Sequence, residues 1–356
     1  MSFSIGKKTF EADSPVFFIG ELSANHAQDI NLAIDTIHAM KESGVDAVKV
    51  QTYTPDTMTL DCDNDFFRIN HGTQWDGKTL YDLYKQAYMP WDWHYKLKTE
   101  AQKLDMEFFS TPFDKSAVDF LEQLEVPAYK VASFEITDIP LIEYIASKGK
   151  PILLSTGVAE LSDIKKALSV CERKSNQNVV LLKCVSSYPA PYDEFNLNVL
   201  TDMRKRFKCI VGLSDHTLTN SVVFAAVALG AKVIEKHVVL NKKIDTPDAF
   251  FSVEPKQYKE MIQAVRDVEK SLGKVTYSLS EDSRKKREFA RSLFFVEDLK
   301  RGDIISDKNV RSIRPAYGLP PVEFEKVCGR RVTQDVVRGT PLKWDFISDA
   351  KELKNE

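Results

Sequence analysis

One pattern constrains this chain more than any other. Eight short apolar runs, rich in β-branched and aromatic residues, are each followed by a longer stretch of helical character. The runs fall at 16–22, 45–51, 106–110, 127–133, 151–155, 178–184, 209–214 and 232–238. Amphipathic stretches occupy 31–41, 91–103, 117–124 and 160–172, and another follows the last run at 255–272. Eight such units in about 270 residues predict an α/β fold, a (β/α)8 TIM barrel. A doubly wound open sheet is the competing arrangement. Its Gly-rich first turn is missing, because the first run ends in Gly20-Glu21-Leu22-Ser23 and not in GxGxxG.

Nearly every run ends in a chemically useful side chain: Glu21, Lys49 and Gln51, Thr111, Lys130 and Ser133, Ser155, Ser186, Ser214 and His216, Glu235 and His237. Parallel strands of a closed barrel bring their C-terminal ends to one mouth, where such folds hold their active sites. Serine and threonine at these positions also cap following helices. Charged residues at five of the ends favour the site. Glu235 and His237, Lys49 and Gln51, and Ser214 and His216 are each two apart and can share the inner face. Lys130 and Ser133 are three apart, which requires a bulge or an early strand end.

The 356-residue length suggests two domains. We read 1–275 as the barrel and 276–290, polar and charged, as a linker. The rest, 291–350, is a small β-rich module punctuated by Gly302, Gly318, Gly329 and Gly339. A module of that size is marginal alone and is expected to pack on something, such as a partner subunit. From Arg284 onward the chain carries 17 basic and 12 acidic residues. The whole chain has a net charge of -3, so nothing global draws it to nucleic acid. No apolar stretch approaches the ~20 residues of a membrane span, and MSFSIGKKTFEADS has no apolar signal core. Five cysteines with no CxxC pair argue against disulfides or a zinc cage. A cytoplasmic protein is expected.

His216 and His237, near adjacent strand ends, suit a divalent metal with open coordination positions, and suit structural zinc poorly. Lys49 and Lys130, with Thr111, Ser133, Ser155 and Ser214, suit a ligand bearing phosphate and carboxylate. A Schiff-base lysine is the alternative, and spacing does not separate the two.

The segments FIGELSANHAQ, DAVKVQTY, FFSTPFD, AYKVASFE, PILLSTG, LLKCVSSYPAPYDEFNL, VGLSDHT and ALGAKVIEKH resemble the sialic acid synthase family in order and spacing. KRGDIISDKNVRSIRPAYGLPP resembles that family's C-terminal antifreeze-like (SAF, β-clip) domain. The resemblance implies a transferase that condenses phosphoenolpyruvate with an N-acylated amino sugar. ELSANH, LKC and RPxxGLPP look like the branch whose acceptor is 2,4-diacetamido-2,4,6-trideoxy-L-altrose, with the neuraminate and legionaminate branches as alternatives. A non-catalytic sugar- or anion-binding protein on the same fold is a further alternative.

The resemblance also implies roles. His216 and His237 hold a divalent metal (Mn2+, Mg2+ or Co2+) that polarises the sugar aldehyde. Lys49, Thr111, Ser133 and Ser155 take the carboxylate side of phosphoenolpyruvate, and Lys130, Ser186 and Ser214 its phosphate. Glu21 is the acid/base. Gln51, Glu135, Tyr188 and Asp248 contact the sugar, and Glu235 lies beside the metal or its water. Arg314 reaches the sugar from the tail of the other subunit in a domain-swapped homodimer. Lys49 and Lys130 then act as charge clamps, which disfavours the Schiff base.

Overall fold

The computed structural model describes residues 2–11, 13–70 and 72–348. The chain divides between Gly273 and Lys274 into two compact units. The expected division at 275/276 and the linker at 276–290 fall on the first residues of the second unit. Residues 349 and 350, expected in the module, lie outside the described residues.

The first unit begins with an antiparallel hairpin, β1 (Ser2–Ile5) and β2 (Lys8–Glu11), which the sequence pattern did not reveal. Phe3, Ile5 and Phe10 are buried, and the Phe10 ring lies 4.4 Å from that of Phe17. Lys8 pairs with Asp46 at 2.9 Å, and Lys7 N–H donates to Glu107 at 2.8 Å. The hairpin therefore covers the N-terminal end of the barrel, opposite the mouth. Its turn needs Gly6, at φ +56°, where an added Cβ would stand 2.0 Å from the Glu107 carboxylate.

The eight expected strands all form: β3 (Phe17–Glu21), β4 (Ala47–Thr52), β5 (Glu107–Pro112), β6 (Tyr129–Val131), β7 (Ile152–Ser155), β8 (Val179–Cys184), β9 (Ile210–Asp215) and β10 (Val233–His237). They pair in parallel and in chain order, and β10 closes onto β3. Helices follow on the outside, from Ile30–Ser43 to the long Pro255–Leu272. The structure is the (β/α)8 barrel and not the open sheet. β6 is only three residues long, and Ser133–Thr137 already winds into a 3₁₀ turn. That early end lets Lys130 and Ser133 both turn toward the mouth.

In the second unit, β11 (Ser292–Phe295) pairs antiparallel with β12 (Val310–Ile313). A separate core of Leu293, Phe295, Ile305, Val310, Val327 and Leu342 holds it together. Glu281–Lys286, within the expected linker, is helical. Among the described residues no helix is long and apolar enough to cross a membrane.

Candidate active site

Strand register assembles the floor of the mouth. Glu21 is level with Lys49 on one side and with His237 on the other. Ser214 is level with Cys184 and with Glu235. The helices that follow β3, β5 and β6 are capped by Asp29, Asp114 and Asp138. The strand-end hydroxyls are thereby left free of capping and available to the cavity.

That cavity, of about 280 Å³, is lined on its floor by Lys49, Thr111, Lys130, Ser155, Ser214 and Glu235. Two ammonium groups flank the Glu235 carboxylate there, and Glu21, fully buried and not among the lining residues, pairs with Lys49 behind it. Lys49 is in direct ion contact with Glu21, lies 3.7 Å from Glu235 and donates to Thr111 at 3.2 Å. Lys130 stands 3.9 Å from the same Glu235 oxygen, which also accepts from the Ser214 hydroxyl at 3.1 Å. Burial works against the charge of Lys49, but Glu21 and Glu235 outweigh it and raise its pKa. Burial also opposes ionised Glu235, but Lys130, Lys49 and His237 hold its pKa down. Lys130 stays below the ordinary lysine value because burial, with Lys49 adding repulsion, exceeds the attraction of Glu235.

The two histidines lie side by side, ring centroids 5.2 Å apart. Nδ1 of His216 is 3.0 Å from the Val185 carbonyl oxygen, and Nδ1 of His237 is 3.5 Å from Asp248. The His216 ring thus has an acceptor behind it, whereas Nδ1 of His237 lies near Asp248 without a hydrogen bond among the described residues. Among the described residues no three His, Cys, Asp or Glu side chains converge as ligands, so the two imidazoles could hold only a divalent ion that keeps several positions open. Burial disfavours charged His216, but Cys184, with its sulfur 3.8 Å away, outweighs it and raises the pKa.

The other residues expected from the sequence surround this floor. Gln51 donates to Glu21 at 3.2 Å and to the Ser23 hydroxyl at 2.9 Å. Tyr188 packs on His216 at 4.6 Å, and Asp248 lies beside His237. Glu135 lines the cavity, and its own burial pushes it up to about 7 against the pull of Lys130. Ser133 accepts from the Gly157 amide at 3.1 Å. A Cβ on Gly157 would lie 2.2 Å from the Ser186 hydroxyl and 2.7 Å from that of Ser133, so the two hydroxyls flank one point. The buried hydroxyls of Ser155 and Ser186 have no hydrogen-bond partner among the described residues. Arg314 is not among the residues of the first unit that build this site. It belongs to the second unit, is exposed, and precedes a cis peptide to Pro315.

Sequence reading missed Gly157, Cys184, Trp75 and the Asp215–Lys236 pair. Asp215 and Lys236 alternate with the inward residues and meet outside the barrel at 2.5 Å, both buried. Thr217 adds its amide and hydroxyl to Asp215, each at 3.0 Å. The pair clamps β9 to β10 where His216 and His237 emerge.

Residues 36–277 match the NeuB family model, and residues 290–348 match that of the SAF domain. A pseudaminic acid synthase of Helicobacter pylori is 42% identical, over 94% of this chain and 98% of the relative. An N,N'-diacetyllegionaminic acid synthase of Legionella pneumophila is 35% identical, over 93% and 94%. The crystal structure of an N-acetylneuraminic acid synthetase from Leptospira borgpetersenii superposes with a TM-score of 0.72 at 29% identity. That superposition covers 81% of this chain and 96% of the other.

Proposed function

This chain belongs to the NeuB family, the sialic acid synthases, and on that premise we propose that it is a pseudaminic acid synthase. The reaction joins phosphoenolpyruvate, water and 2,4-diacetamido-2,4,6-trideoxy-L-altrose to give pseudaminic acid and phosphate. The observation that carries the acceptor is the 42% identity to the H. pylori pseudaminate enzyme, against 35% to the legionaminate one.

The floor suits the chemistry. C3 of phosphoenolpyruvate forms a bond to the aldehyde carbon, whose oxygen takes up a proton. Water adds at C2 with loss of a proton, and the C2–O bond breaks as phosphate leaves. Lys49 and Lys130 neutralise the carboxylate and phosphate, and as charge clamps they hold the reactants in register. Thr111 and the free hydroxyls of Ser155 and Ser186 donate to those anions, with Ser133 and Ser214 beside them. Glu21, ion-paired to Lys49 and oriented by Gln51, is the acid/base at the aldehyde oxygen or the water. Gln51, Glu135, Tyr188 and Asp248 position the sugar, and Glu235 holds the water side of the floor. His216 and His237 would bind a divalent ion (Mn2+, Mg2+ or Co2+), which supplies Lewis-acid polarisation of the aldehyde. The second unit, more basic than the barrel, would close the mouth of a second copy in a domain-swapped homodimer. Arg314 would then reach the sugar from the partner.

The test is phosphate release from phosphoenolpyruvate with Mn2+ and three acceptors offered separately: the altrose sugar, its legionaminate-pathway counterpart and N-acetylmannosamine. Release with the altrose sugar alone is expected. Preference for either of the others would overturn the acceptor assignment. Binding of phosphoenolpyruvate without release for any sugar would favour a non-catalytic binding protein.

A further inference from the structure

Above the floor the cavity changes character. From His216 an aromatic column rises toward the rim. Tyr188 packs on His216 at 4.6 Å, Trp75 on Tyr188 at 5.9 Å, and Phe250 on Trp75 at 6.0 Å. The Trp75 indole N–H donates to the Pro247 carbonyl at 3.3 Å, which fixes the ring against the cavity. Met58, Leu83 and Tyr84 line the same cavity and, like Trp75, come from the long excursion between β4 and the helix Trp93–Lys103. The cationic groups that line the cavity, among the described residues, are Lys49, Lys130, His216 and His237, all on the floor.

A sugar whose aldehyde lies at the histidines and Glu21 must send its other end away from the floor, along this column. The wall there offers apolar surface and, from this chain's own cavity lining among the described residues, no cation. We infer that Trp75, with Met58 and Leu83, is a specificity-determining surface that selects an acceptor ending in a methyl group over one ending in hydroxymethyl or phosphate. The inference rests on the pseudaminate reading and names the part of the chain that enforces it. A hydroxymethyl at that end would leave its hydroxyl desolvated against Trp75 and Leu83, and a phosphate would lose its hydration for no compensating charge.

The experiment compares wild type, Trp75→Ala, Trp75→Phe and Leu83→Asn in phosphate release. The acceptors are the 6-deoxy diacetamido sugar, its 6-hydroxy counterpart and N-acetylmannosamine 6-phosphate. Wild type is expected to prefer the 6-deoxy sugar by roughly 10–100-fold in kcat/KM, the range a hydrophobic pocket gives for such a change. Trp75→Ala should raise KM for that sugar about tenfold and erase most of the preference, leaving KM for phosphoenolpyruvate unchanged. Trp75→Phe should keep most of it. Leu83→Asn, whose folding is checked by thermal melting, gives the same readout if Trp75→Ala does not fold. Equal use of the 6-deoxy and 6-hydroxy sugars by wild type, or a preference that survives both Trp75→Ala and Leu83→Asn, would sink the inference and leave the synthase reading standing. So would efficient use of the 6-phosphate. No release with any acceptor would remove both together.

Discussion

Nδ1 of His216 stands 3.0 Å from the carbonyl oxygen of Val185. A carbonyl only accepts, so this nitrogen carries the ring proton and Nε2 keeps its lone pair. Asp248 lies 3.5 Å from Nδ1 of His237, a charge contact without a hydrogen bond among the described residues. Treatment with EDTA should therefore abolish phosphate release, and added Mn2+ should restore it. His216→Ala and His237→Ala should each cost more than the ~10–100-fold that loss of an outer partner typically costs. Activity unaffected by EDTA would remove the metal from the mechanism.

Glu21 is fully buried, paired with Lys49 and held by Gln51. Glu21→Gln keeps the shape and loses the proton transfer. The variant should fold and bind phosphoenolpyruvate, while turnover falls by roughly 10²–10⁴. Binding by calorimetry beside steady-state kinetics checks this. Near-normal turnover would transfer the acid/base role elsewhere.

The barrel was legible because alternation of apolar runs and helices is a long-range, repeated signal. The polar ring was legible because chemistry recurred at the strand ends. What escaped notice has a physical reason in each case. The hairpin of β1 and β2 has strands of four residues, too short for a period to register. Asp215 and Lys236 were passed over because reading every second residue as inward discards the residues between. Trp75 lies in a connection, where no period marks a direction. Gly157 has no side chain, and its importance is the space it leaves between two hydroxyls.

The Asp215–Lys236 pair gives a stability prediction. Both groups are almost wholly buried, and Lys236 also donates to the Thr217 carbonyl at 2.6 Å. Lys236→Met would leave the Asp215 carboxylate buried without its counter-charge. Denaturant unfolding should show a loss of about 3–5 kcal/mol. A loss below 1 kcal/mol, the scale of exposed pairs, would mean that the pair does not hold β9 to β10.

Glu135 sets a pH dependence. Its folded pKa of about 7 lies above the ordinary glutamate value of 4.5, because burial disfavours the carboxylate. Between these values the folded state holds a proton that the unfolded state has released. Stability therefore falls as pH rises through the window from 4.5 to about 7, and is lower by about 3 kcal/mol above it. Glu135→Gln should abolish that component, so its thermal midpoint relative to wild type should climb as the pH rises from 4.5 to 8. A difference between the two proteins that is flat with pH would show that Glu135 ionises normally.

Gly157 lies between two hydroxyls proposed to hold the anion. Its amide donates to the Ser133 hydroxyl at 3.1 Å, and a Cβ there would press on Ser186 at 2.2 Å and Ser133 at 2.7 Å. Both hydroxyls can rotate away from a methyl, and the Ser133 Cβ, 3.2 Å from it, must give slightly, so Gly157→Ala should fold with a modest loss of stability. Rotation would turn them from the bound anion, and each net hydrogen bond to a charged group contributes about 1.5–3 kcal/mol. KM for phosphoenolpyruvate should accordingly rise by roughly tenfold or more, with KM for the sugar nearly unchanged. The kinetics of the variant with each substrate varied in turn decide the point. A rise confined to the sugar would assign Ser133 and Ser186 to the acceptor and leave phosphoenolpyruvate to Lys49, Lys130, Thr111 and Ser155.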